Sequence, residues 1–262
     1  MMRNLTYEWR RISSIRSTWI LTGVTIVAAA ALAELIAVVA AYAVSHPTGP
    51  AGPDGGPVEV ATKLSLGEFV TTAMTNPLSI AIVFVILSTI VAQAFGQEYR
   101  HGTIRLTLTA FPRRVPVFVA KAIVCLAVVV VTFVITVLLT IVIGLLNSGA
   151  VGGDAPSVDF FGPAGRMILY LIGYCLIVFA VTVITRVLAL GVIIPLLFLI
   201  VVEAVLVNLV SRFVHWLPEV MPFTSALAFV NGTDMVRNGL VFLAWIVVLV
   251  GIALAVFRAR DA

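Results

Sequence analysis

Two carboxylic acids, Glu34 and Glu203, stand inside long apolar runs. A carboxylate near the middle of a bilayer costs about 2.5–3.5 kcal/mol on insertion scales, so each acid needs a partner or a use. One chemistry open to them is a polar patch in a translocation path for a cationic or amphiphilic cargo. The other is a pair of protonated acids that hydrogen-bond between helices. Ala30, Ala37 and Ala41 share a helical face with Glu34, and small residues of this kind let helices approach closely. Gly191 and Pro195 precede Glu203, where they can bend its helix or open a cavity. At about 1.5 Å per residue, both acids reach similar depth beyond the midplane.

The second constellation is polar. Residues 98–114, EYRHGTIRLTLTAFPRR, hold Glu98, Arg100, His101, Arg105, Arg113 and Arg114 between two of the longest apolar runs. Gly102 and Pro112 bracket a stretch in which Thr103, Arg105 and further threonines alternate with Ile104, Leu106, Leu108 and Phe111. A loop that must only be soluble has no need of that apolar content, whereas a short helix docking into a soluble partner does. The plainer reading of the arginines is charge anchoring on one side of a membrane.

Enzyme chemistry is not visible. The chain has no Gly-Lys pair and hence no Walker A loop, none of His46, His101 and His215 begins an H-E-x-x-H, and no G-x-S-x-G elbow occurs. No catalytic residue, metal ligand or cofactor of its own is expected.

The elements that must carry these residues follow from composition. Of 262 residues, 61% are hydrophobic and 11% charged, with a mean hydropathy of +1.17. Apolar runs of eighteen residues or more recur, each long enough to cross roughly 30 Å of hydrocarbon as a helix. The expected fold is an all-α integral membrane protein of one domain, residues 1–262. Its six spans are expected at residues 19–44, 77–95, 116–146, 167–185, 187–209 and 240–257. The third exceeds what a bilayer requires and must tilt or project into water. Only Arg186 separates the fourth and fifth, which implies a tight hairpin. Ala41-Tyr42-Ala43 could pass for a cleavage site after a basic N-terminus, but the first apolar run is longer than a signal-peptide core, so it is read as a permanent helix.

With both termini cytoplasmic, twelve basic residues fall inside and four (Lys63, Arg166, Arg212 and Arg237) outside. The net charge of +4 thus describes topology, and no nucleic-acid partner is expected. Ala-, Val- and Arg-rich usage with two lysines points to a high-GC bacterium, and the expected location of the multi-pass chain is the bacterial inner membrane. Cys125 and Cys175 lie in expected spans and read as packing residues. Asn231-Gly232-Thr233 matches a short glycosylation pattern of little weight.

Residues 45–57 and 146–163 read as irregular outer loops rich in Gly and Pro. After the first comes a short surface helix with Leu64, Phe69 and Val70 toward lipid. Residues 210–239 are too apolar for free water and are expected to lie on the membrane or dip into it, with Trp216 near the interface. Residues 1–18 place Leu5, Trp9, Ile12 and Ile15 near helical spacing among four arginines, the pattern of an interfacial helix.

Read as E-x-x-x-G-T-x-x-x-x-L-x-x-x-P-x-R…K, with Glu98, Gly102, Thr103, Leu108, Pro112, Arg114 and Lys121, the polar stretch resembles the permeases of type-2 ABC exporters. The N-terminal EWRRISSIRSTW is similar to the entry of actinobacterial members, and the six-span layout matches along essentially the whole chain. Either Arg113 or Arg114 meets the family's basic position after the proline. The resemblance implies that residues 97–115 carry a cytoplasmic coupling helix seated in a separate ATP-binding subunit. It also implies two such subunits, which hold ATP and Mg, and a second permease, either identical or a sister chain. Glu98, Arg100, Gly102, Thr103, Arg105, Pro112, Arg113 and Arg114 are then ATPase-coupling residues, and Glu34 and Glu203 substrate-path residues. The competing readings are an ATP-independent channel or secondary transporter that relays protons or cations through the two acids, and a membrane scaffold or immunity protein.

Overall fold

The computed structural model describes residues 2–46, 63–110, 113–147, 151, 161–210, 214 and 216–259. Most of both Gly/Pro-rich outer loops, and Pro112 in the polar stretch, lie outside the described residues. The described chain is almost entirely helical, with one isolated bridge between Leu64 and Val151.

Helix α1 (Met2–Ser14) is followed, after extended backbone at Ile15, by α2 (Arg16–Ser45). Then come α3 (Leu66–Thr75), α4 (Pro77–His101), α5 (Ile104–Ala110), α6 (Arg114–Leu146) and α7 (Phe161–Thr185). Helix α8 (Leu188–Leu197) runs on through a π-helical turn (Phe198–Val202), the brief α9 (Glu203–Val205) and a second π-helical turn (Leu206–Val210). Helices α10 (Pro222–Val230) and α11 (Met235–Ala259) complete the order.

Among the described residues, five helices, α2, α4, α6, α7 and α11, are long and apolar enough to cross a membrane, which makes this a multi-pass membrane protein by length and composition. The expected fifth span is present as helix but is not regular. Pro195 removes one backbone donor inside α8, and wider π turns flank Glu203 on both sides. At about 1.5 Å per residue, the 33 residues of α6 reach roughly 50 Å, well beyond the hydrocarbon thickness.

Local chemistry explains the boundaries. The Asn76 side chain accepts the Leu78 N–H, and Pro77 fills a position whose N–H has no helical partner, so α4 begins there. It ends at Gly102, whose φ of +68° is left-handed and costs a glycine little. Helices α4 and α7 form the centre, while α2, α6 and α11 surround them and keep most of their apolar surface outward. Phe95 and Phe179, near the ends of α4 and α7, meet Phe118 near the start of α6, and both pairs involving Phe179 pack edge to face with centroids 5.1 and 5.2 Å apart.

Helix α3 departs from the expected surface helix. Phe69 and Val70 are fully buried, together with Leu66, and Gly144 on α6 leaves room for Leu66 and Phe69. A Cβ at Gly144 would stand 2.7 Å from Leu66 and 2.9 Å from Phe69. Ser65 and Glu68 form a reciprocal capping box at the start of α3. The Ser65 backbone N–H and hydroxyl hold the Glu68 carboxyl below its ordinary range. The depressed value means that this stabilisation is complete above the unfolded carboxyl's titration and disappears as pH falls through the lowered one. Ser65→Ala should therefore cost about 1 kcal/mol near neutral pH. The penalty should shrink in acid, as thermal unfolding monitored by size exclusion will show.

Candidate functional site

Four charged side chains converge where α1, α4, α5 and α6 meet. Glu8 and Arg11 come from α1, Glu98 from the last turn of α4, and Lys121 from the second turn of α6. Lys121 is completely buried, and its Nζ donates to Glu8 Oε1 at 2.7 Å and to Glu98 Oε1 at 2.9 Å. Arg11 donates to Glu8 Oε2 at 3.2 Å, pairs with Glu98 Oε1, and reaches the Ala94 carbonyl at 3.3 Å. Thr107 on α5 donates to Glu98 Oε1 at 3.3 Å. The Phe95 ring closes the apolar side, with Lys121 Nζ 5.3 Å from its centroid. Two carboxylates and two cations make the node neutral, the condition under which buried charge is tolerated. Glu98 Oε2 accepts no hydrogen bond among the described residues.

The sequence placed Glu98 in the polar stretch and Lys121 at the end of the same motif, but nothing in it joined them to Glu8 and Arg11. The available signal was a lysine inside an apolar helix, which must find an acid. On α1 the buried line is Asn4, Glu8 and Ile12, while Trp9 of the expected apolar stripe is exposed. A polar edge holds this helix against the bundle.

The other expected coupling residues fall into two groups. Arg100, Thr103, Arg105 and Arg113 are exposed, and Gly102 forms the turn that sends the chain into α5. That helix buries Ile104 and Thr107 against the bundle and leaves Leu106 70% exposed. Arg114, by contrast, donates to the carbonyls of Phe257 and Arg258 at 3.4 and 3.0 Å, where it caps the C-terminus of α11.

Glu34 and Glu203 are not one site. Glu34 is exposed on α2 and accepts from Asn147 Nδ2 at 3.1 Å. Glu203 is 4% exposed and accepts three hydrogen bonds from the start of α10. The Phe223 N–H reaches Oε1 at 2.8 Å, while the Thr224 N–H and hydroxyl reach Oε2 at 2.6 and 2.7 Å. At the opposite end of α10, Arg166 Nε donates to the Val230 carbonyl at 2.9 Å. An anion at the N-terminus and a cation at the C-terminus both oppose the helix dipole. A cavity of about 420 Å³ opens beside Glu203, lined by the end of α3, α4, α7, the π turns and α10. Glu34 does not line it. Among the described residues, no three His, Cys, Asp or Glu side chains gather to hold a metal ion.

Residues 53–261 match a family described as "Protein of unknown function (DUF2705)". The chain belongs to that family. No curated protein matches it. The matched region contains Glu98, Lys121 and Glu203, whereas Glu8 and Arg11 precede it.

Proposed function

We propose that this chain is the membrane-spanning permease subunit of an ATP-driven exporter of the type-2 ABC class, moving an amphiphilic or cationic substrate out of a bacterial cell. The observation that carries the reading is the presentation of α5. The buried node ties its Thr107 to α1, α4 and α6, while its opposite face offers Arg105 and a 70% exposed Leu106. An apolar tooth beside cations on a helix fastened at its base suits insertion into a soluble partner. On this reading the polar stretch is cytoplasmic, both termini are cytoplasmic, and the helix from α8 through the second π turn is a sixth span. Two ATP-binding subunits supply the ATP and Mg sites, and a second permease completes the pathway. Glu98 then fixes the angle of the coupling helix, and Arg100, Arg105 and Arg113 face the partner.

The alternative, an ATP-independent channel or secondary transporter, draws on the acid beside the cavity. Purification of the tagged chain from its native membrane in mild detergent separates the two. The exporter reading expects a stoichiometric subunit with a Walker A loop, lost from Arg105→Glu/Leu106→Asp while the permease still elutes as a folded species. A pure oligomer without an ATPase would favour the alternative.

A further inference from the structure

The cavity beside Glu203 combines features that a packing acid does not require. Its wall is otherwise largely apolar, with Ile80, Leu199, Ile200 and Leu227, and it includes the aromatic residues Tyr170 and Phe223. Its volume of about 420 Å³ suits a small organic ligand. Among the described residues that line it, Glu203 alone carries a carboxyl. An ionised carboxylate offers about four lone-pair sites, and α10 occupies three of them. The two π turns on either side of Glu203 widen its helix at this depth, a distortion common at functional sites. Together these give one negative group, aromatic residues for a cation and apolar walls for a hydrocarbon body.

We infer that this cavity is the recognition site for an amphiphilic monocation, and that α10 is a gate whose N-terminal donors compete with the cation for Glu203. The inference rests on the transporter reading above and deepens it by assigning the cargo's charge and its contact. The carboxylate faces Phe223 N–H, Thr224 N–H and the Thr224 hydroxyl, which hold α10 against the bundle. A ligand ammonium entering the cavity takes the same oxygens, and the N-terminus of α10 loses its hold while Arg166 still anchors the other end. No covalent step is involved.

The test uses the protein purified with whatever subunits accompany it, in lipid nanodiscs. The probe is dansylcadaverine, a fluorescent body carrying one primary ammonium, compared with the uncharged dansyl amide of pentylamine after subtraction of empty nanodiscs. Saturable binding is expected for the cation only, at least tenfold weaker in Glu203→Gln. Because Glu203→Gln can also disturb α10, Ile200→Trp provides a second variant that fills the cavity and leaves the carboxylate's three bonds in place. It should abolish binding while the thermal midpoint holds. Thr224→Val removes one competitor for the carboxylate and should tighten binding severalfold, which a merely structural acid would not produce. Equal binding of the neutral probe, or unchanged cation binding in both Glu203→Gln and Ile200→Trp, would overturn the inference. An accompanying ATPase without cation binding sinks this site and leaves the exporter reading intact. Cation binding without an ATPase does the reverse.

Discussion

Lys121→Met should destabilise the protein by about 3–5 kcal/mol, the usual consequence of removing one partner from a buried ion pair. Single domains are stable by only about 5–15 kcal/mol, so the variant should survive poorly in detergent. The physical reason is charge balance. Lys121 has no exposed surface and serves both Glu8 and Glu98, each only 2% exposed. Without it two carboxylates share the single guanidinium of Arg11, which is itself 18% exposed. The double variant Lys121→Met/Glu98→Gln restores one acid to one base and should regain much of the loss. Arg11→Met should cost less than Lys121→Met, because water reaches its position. Thermal midpoints from fluorescence-detected size exclusion order the three variants. A Lys121→Met protein as stable as the parent, or a double variant no better than the single one, would refute the balanced-node account.

The same comparison separates fold from coupling. In Lys121→Met/Glu98→Gln the Thr107 hydroxyl and the Arg11 guanidinium can still donate to the amide oxygen that replaces the carboxylate, but the Lys121 ammonium that joined this end of α4 to Glu8 and α6 is gone. If α5 depends on the node for its angle, this variant should remain folded yet retain the ATP-binding subunit proposed above more weakly than the parent does. Equal retention would confine the node to stability.

Much of the helix order was legible because span length, capping and turn residues are local. Asn76-Pro77 starts α4, Gly102 stops it, and Arg186 turns α7 into α8 with a φ of +60°. The π turns around Glu203 were not, since hydropathy is indifferent to whether a carbonyl accepts from four or five residues ahead. The misjudged face of α3 had a tertiary cause, the notch at Gly144 on α6. The candidate sites divide in the same way. Glu98, Lys121 and Glu203 stand out as charges bordering or interrupting apolar sequence. Their partners do not, because Glu8 lies 113 residues from Lys121 and Thr224 lies 21 residues from Glu203. Only packing determines that the first pair meets inside the bundle and that the second holds a helix end.

Packing against glycine carries the second large prediction. Gly96→Ala should destabilise the protein by about 1–3 kcal/mol relative to Gly23→Ala, the range for overpacking in a core. Both glycines lie within long helices, so both gain the same helix propensity on replacement. Their surroundings differ. A Cβ at Gly23 meets nothing within 4 Å, whereas at Gly96 it would stand 2.6 Å from Leu188 Cβ and 2.9 Å from Leu188 Cα. Side-chain rotation cannot move either Leu188 atom, so α8 must shift away from α4 as a unit. That shift would also pull Arg186 off the Tyr99 ring, whose centroid lies 5.3 Å from its guanidinium carbon. For a chain of this size the expected difference in thermal midpoint is roughly 2–12 °C. A Gly96→Ala midpoint at or above that of Gly23→Ala would mean that the α7–α8 hairpin is not pinned to α4. Because α8 leads through the first π turn to Glu203, Gly96→Ala should also weaken dansylcadaverine binding from a position outside the cavity's lining.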